Sequence, residues 1–140
     1  MTFLLDTNVV SELKKIRTGR ADLGVVQWAD SVLLSDLYIS VVTVQEIDIG
    51  VLRLERRDGA QGRALRTWLE DQVLTAFAGR IVVVDPAVAR RSALLSVPDV
   101  RPYRDALIAA TGLVHGMTVV TRNENDFRGT SVPLLNPWTQ

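Results

Sequence analysis

The chain has no cysteine, one histidine and only two lysines in 140 residues. Without cysteine there is no disulfide framework, no thiolate metal site and no thiol nucleophile. A single histidine leaves no imidazole cluster for zinc. No uncharged apolar run approaches the ~18 residues that a membrane span requires. Met1 to Leu5 carries no basic segment and no cleavage site, which predicts no secretion signal and a cytoplasmic location. Net charge is also lacking, since 16 basic side chains balance 16 acidic ones. That removes the global field that would gather nucleic acid and leaves only local patches to do so.

What is present is apolar material, 47% of the residues, enough for one packed core. No linker or repeat divides it, so residues 1–140 are expected to form a single domain. Short β-branched runs at Phe3 to Leu5, Leu37 to Val42, Ile81 to Val84, Thr118 to Val120 and Val132 to Leu135 read as buried strands. Helical spacing covers Val9 to Ile16, Leu23 to Leu33, Val44 to Arg56, Gln61 to Phe77, Ala87 to Ser96 and Tyr103 to Val114. Strands alternating with helices predict an α/β fold with a mostly parallel sheet of about five strands, covered on both faces. In such folds ligands sit beyond the carboxyl ends of the strands.

Four acids fall at that rim. Asp6 follows Phe3-Leu4-Leu5, and a carboxylate ending an apolar strand is costly to bury without a partner. Glu46 comes a turn after the second strand, Asp105 opens the most apolar helix, and Asp126 follows the Thr118 to Val120 strand. Each of the last three has a plain structural explanation as well. Thr43-Val44-Gln45-Glu46 fits a capping box, the better reading of Glu46 taken alone. Asp105 suits a helix dipole, and Asp126 in Asn123-Glu124-Asn125-Asp126 suits a turn. Together, four carboxylates without a nearby Lys or His would repel one another unless cations shared the site. Hard oxygen ligands select Mg²⁺ or Mn²⁺ over zinc, and the matching chemistry is metal-assisted phosphodiester hydrolysis.

These residues also resemble a known family. Leu5-Asp6-Thr7-Asn8-Val9 with Ser11-Glu12, Ser40 through Glu46, Asp105 through Thr111, Thr121-Arg122-Asn123 with Asp126-Phe127, and the closing Leu135-Asn136-Pro137-Trp138 are similar, in order and spacing, to the PIN-domain ribonucleases, specifically the VapC-type toxins of bacterial toxin–antitoxin pairs. The resemblance implies a three-layer α/β/α sandwich and Mg²⁺- or Mn²⁺-dependent cleavage of RNA. It implies a cognate antitoxin, homodimers and toxin–antitoxin hetero-oligomers, with operator DNA contacted only through the antitoxin. Carried over, Asp6 and Asp105 resemble the metal ligands, and Glu46 and Asp126 complete the catalytic acids. Thr7, Asn8, Thr121 and Asn123 would support them from behind. Asn123 departs from relatives that carry an acid there. Glu12, one turn beyond Asn8, is peripheral and expected at the surface.

Fourteen of the basic residues are arginine, and Arg53, Arg56, Arg57, Arg63 and Arg66 cluster in one window, where they suit either an RNA backbone or a solvated helix end. His115 ends a helix before Gly116, so capping accounts for it without a catalytic role. Trp28, Trp68 and Trp138 are expected to pack. The competing class is a non-catalytic member of an antitoxin-mediated DNA-binding complex, which would bind no divalent metal. A haloacid-dehalogenase-type phosphatase also begins with a strand-end Asp, but it wants a second Asp where this chain has Asn8.

Overall fold

A computed structural model describes residues 1–139. Five strands, β1 (Phe3–Leu5), β2 (Leu37–Ser40), β3 (Ile81–Val82), β4 (Thr118–Val120) and β5 (Leu134–Leu135), form one all-parallel sheet in the order β3-β2-β1-β4-β5. The α-helices are α1 (Thr7–Lys14), α2 (Leu23–Ser31), α3 (Val41–Arg57), α4 (Gly59–Thr67), α5 (Leu74–Ala76), α6 (Pro86–Leu95) and α7 (Tyr103–His115).

Side chains of a strand alternate between its two faces, and β1 shows why its three residues are all apolar. Phe3 and Leu5 join one core with Val9, Trp28, Ile39 and Trp68, while Leu4 joins the other with Val88, Ile108 and Phe127. Two separate cores on opposite faces of one sheet make three layers, the expected α/β/α sandwich. Phe3 meets the edge of Trp28 at 5.5 Å between ring centroids, a favourable aromatic geometry.

The helix α7 is buried without interruption from Ala106 to Gly112, which explains why it lacks a polar face. A Cβ on Gly112 would lie 2.8 Å from a Val132 methyl, so glycine permits the approach of β5's leading segment. The helix stops at Gly116, in the left-handed region at φ 66°, as the His115-Gly116 pair predicts.

Two expectations need correction. The long helix read over Gln61 to Phe77 is interrupted by a π-helical turn at Trp68–Val73, where the Leu74 N–H donates to the Leu69 carbonyl five residues back. The wider turn brings Trp68, Leu69 and Val73 into the core together, a set that α-helical spacing would splay. The second strand ends at Ser40 and not Val42, because the Ser40 hydroxyl accepts the Val42 N–H at 3.0 Å and caps α3. The helix therefore starts at Val41, and the capping box expected at Thr43 does not form.

The chain moves outward from β1 to β2 to β3, then crosses back to place β4 on the other flank of β1. This reversal opens a crevice at the carboxyl ends of β1 and β4.

Candidate active site

Asp6 stands at that crevice. Its backbone N–H extends the ladder one bond past β1, to the Val120 carbonyl at 2.9 Å, and the same residue caps α1. One carboxylate oxygen accepts the Thr7 N–H at 2.8 Å. The other accepts the Thr121 hydroxyl at 2.8 Å and the Asn8 amide at 3.3 Å. The Thr121 hydroxyl is fully buried and accepts the Asn123 N–H at 3.0 Å. That forces its one proton toward Asp6. Asn8 accepts the Arg122 N–H at 3.2 Å with its own oxygen. Thr7, Asn8, Thr121 and Asn123 thus form one hydrogen-bonded frame that fixes a single carboxylate.

The other acids converge on it. Displacing the start of α3 to Val41 turns Glu46 away from any capping role and into the crevice. Asp105 lies in the first turn of α7, and Asp126 in the 3₁₀ turn Glu124–Phe127. Burial pushes the Asp6 carboxyl up, and the charge of Asp126 adds to the rise. Glu46 is raised by burial and by Asp6. Asp105 is pushed to about 6, first by burial and then by Asp126, Asp6 and Glu46 in turn. Mutual repulsion on this scale requires that the four groups share one electrostatic space.

One cation was missed by sequence reasoning, which expected no basic side chain at the acids. Arg104 lies 4.0 Å from Glu46 and holds both Glu46 and Asp105 down against the upward shifts. Its position beside Asp105 was the available signal. A second unassigned residue is Asn136. It is buried and donates to the Arg122 carbonyl at 3.3 Å and to Glu124 at 3.1 Å, and it accepts the Trp138 N–H at 3.0 Å. The Arg122 guanidinium lies over the Trp138 ring at 5.4 Å. The C-terminal turn therefore ties down the loop that carries Asp126, a role that the closing Leu135-Asn136-Pro137-Trp138 motif marks without explaining.

Two expectations fail here. Glu12 is not at the surface. It is buried and accepts the Asp22 N–H at 2.8 Å and the Lys15 ammonium at 3.1 Å, joining α1 to the start of α2. The Asp22 contact, then Lys15, holds its carboxyl below the usual range. Arg66 is not free for a phosphate. It forks onto Glu55 at 2.7 and 2.9 Å and reaches Asp48 at 3.5 Å. Arg53, Arg56, Arg57 and Arg63 are exposed, but Arg56 is ten residues along α3 from Glu46, about 15 Å of helix rise.

The donor set suits a hard divalent cation. All four groups are carboxylates, three are raised by burial and by their neighbours' charge, and Asp6 keeps lone pairs beyond the three bonds described. Among the described residues, no three Asp, Glu or His side chains are already gathered into a cage. A Mg²⁺ ion needs only one or two carboxylates and keeps several waters.

Residues 3–132 match the PIN domain family model. The chain is a PIN-domain protein. It is 37% identical to the toxin FitB of Neisseria gonorrhoeae, across 96% of this chain and 97% of that protein. It is 35% identical to the VapC ribonuclease Y4jK of Sinorhizobium fredii, across 96% of each. In structure it superposes on FitAcB from Neisseria gonorrhoeae with a TM-score of 0.87 at 36% identity, covering 99% of this chain and 100% of that one. FitAB bound to an IR36 DNA fragment gives 0.85 at 37% identity, covering 98% and 96%. This PIN fold therefore carries the acidic crevice at the same switch point from which its topology was derived. Among the described residues, no helix is long and apolar enough to cross a membrane.

Proposed function

We propose that this PIN-domain protein is the toxin of a toxin–antitoxin pair and acts in the cytoplasm as a metal-dependent endoribonuclease. The observation that carries this reading is the convergence of Asp6, Glu46, Asp105 and Asp126 on one crevice, with three of the carboxyls raised by burial and mutual repulsion. The names of the relatives, a toxin and a ribonuclease, support it.

Asp6 and Asp105 are the residues that would hold Mg²⁺ or Mn²⁺. When bound, such an ion lowers the pKa of water and neutralises charge on phosphoryl oxygens. Asp6 is oriented by Thr7, Asn8 and Thr121, so little motion is needed to present its free lone pairs. Burial and the neighbouring Asp6 raise Glu46, which makes it a stronger base toward an attacking water than a solvated carboxylate. Asp126 is exposed and completes the pocket from its outer side, through water. The cognate antitoxin, and operator DNA through it, enter by similarity to FitAB, whose structure holds DNA. The alternative, a purely structural member of such a complex, gives no reason to gather four acids.

The decisive variant is Asp6→Asn, which can keep the Thr7 contact while removing the charge. Cleavage of RNA in Mg²⁺ or Mn²⁺ should fall on the order of 10³-fold, since charge stabilisation of this kind supplies several kcal/mol. The circular dichroism spectrum should be unchanged. Undiminished cleavage by Asp6→Asn would remove the assignment.

A further inference from the structure

Of the three Trp, two Tyr and three Phe in the chain, seven are buried or half-buried, and Tyr103 alone is left in water, 80% exposed. Neither packing nor the acidic frame uses it. It is the first residue of α7, two positions before Asp105. It borders a mostly apolar groove of about 720 Å³, together with Val41, Gln45, Val84 and Val100. Val41 and Gln45 belong to the first turns of α3, which also carry Glu46. The groove and the acidic crevice therefore share the same two helix starts. Arg104, the next residue of α7 after Tyr103, is half exposed and makes a single 4.0 Å salt-bridge contact, to Glu46.

This juxtaposition selects an occupant. A flat apolar face for Tyr103, an exposed amide at Gln45 and a loosely held guanidinium beside carboxylates fit an unpaired nucleotide. The base lies on the ring, its phosphate meets Arg104, and the next phosphodiester reaches the acids. Aromatic stacking of splayed bases is the usual means of holding single-stranded RNA. We propose that Tyr103 stacks the unpaired RNA base next to the scissile bond, with Arg104 on its phosphate. The inference rests on the ribonuclease reading of the acidic crevice. It makes Tyr103 a substrate-contacting residue that favours unpaired RNA over duplex.

The test is binding of a fluorescein-labelled, cleavage-resistant phosphorothioate single-stranded oligoribonucleotide, by anisotropy in Mn²⁺, to the unmodified protein and to single variants of it. Tyr103→Ala should weaken binding roughly 5- to 50-fold, while Tyr103→Phe and Tyr103→Trp retain it. Arg104→Gln should lower the slope of log affinity against log salt by about 0.7. Unchanged affinity in Tyr103→Ala overturns the proposal. If sedimentation velocity then shows an altered assembly state, Tyr103 belongs to a contact between protein chains. Failure of the unmodified protein to bind any RNA also overturns it. Cleavage by the unmodified protein reports separately. Cleavage that ignores Tyr103→Ala sinks this inference alone, whereas Tyr103-dependent binding without any cleavage sinks the nuclease reading and leaves the base contact standing.

Discussion

The molecule has two dense groups of charge, and they differ in what surrounds them. At the crevice, four acids of one sign are held together behind a buried hydrogen-bonded frame, and three of them are pushed upward in pKa. Along α3 and α4, arginines alternate with acids, and Arg66 is neutralised by Glu55 and Asp48 within hydrogen-bonding distance. The first group stores repulsion that a cation would relieve, whereas the second has already spent its charge on itself. Charge density in a sequence therefore says little about function until the partners are known. Like charges that a fold keeps close against their own repulsion are the informative case.

Beyond Asp6 itself, the largest effect that sharpens this contrast is expected at a residue with no charge. Thr121→Val keeps the volume of the buried side chain but removes the only hydroxyl that donates to Asp6. Loss of such a supporting contact should cost about 10- to 100-fold in metal affinity or cleavage. Titration calorimetry and an RNA-cleavage assay would measure it, and a Thr121→Ser change should restore most of it.

A smaller effect concerns pH. Asp105 binds its proton more tightly in the folded chain, near 6, than at its ordinary 3.8. Its stabilising contribution is thus complete below pH 3.8 and is lost as pH rises through about 6. In chelator, the melting temperature of the unmodified protein relative to Asp105→Asn should fall between pH 5 and pH 7. Solvent screens this half-buried group, so the change should be on the order of 1 kcal/mol, a few degrees. Glu12 and Glu55 are shifted the other way, which is why the difference between the two proteins, and not either curve alone, carries the information.

The smallest effects belong to the helical pair. Arg66→Ala should lower the denaturant midpoint only slightly, because the network is solvated. Arg56→Ala should stay within about 0.5 kcal/mol. Neither should alter the kcat of cleavage. A cleavage defect in Arg56→Ala larger than that in Thr121→Val would reverse the ranking of the two regions.

The sequence made Asp6 legible because its position, a carboxylate ending a fully apolar strand, is itself costly. The layers were legible for the same reason, since β1 must serve two cores with consecutive residues. Glu46 was obscured by register. A three-residue difference in where α3 starts converts a capping glutamate into one that faces the crevice, and only the Ser40 hydroxyl decides it. Arg66 and Glu12 were misread because their partners lie 11 and 10 residues away and their distances depend on how helices meet. The π-helical turn was hidden because local spacing reports a period and not the packing that overrides it. Asn136 stood out only as part of the closing Leu135-Asn136-Pro137-Trp138 motif, because its partners lie in a loop 12 to 14 residues earlier that only tertiary structure brings to it.

The central claim is that the crevice is built for a divalent cation, and calorimetric titration with Mn²⁺ in buffers of different ionisation enthalpy tests it most directly. The account predicts saturable binding that strengthens between pH 5 and pH 7, with net proton release near pH 6 as Asp105 gives up its proton, and with both effects lost in Asp6→Asn. Absence of Mn²⁺ binding, or binding that is the same in the unmodified and Asp6→Asn proteins and indifferent to pH, would contradict it.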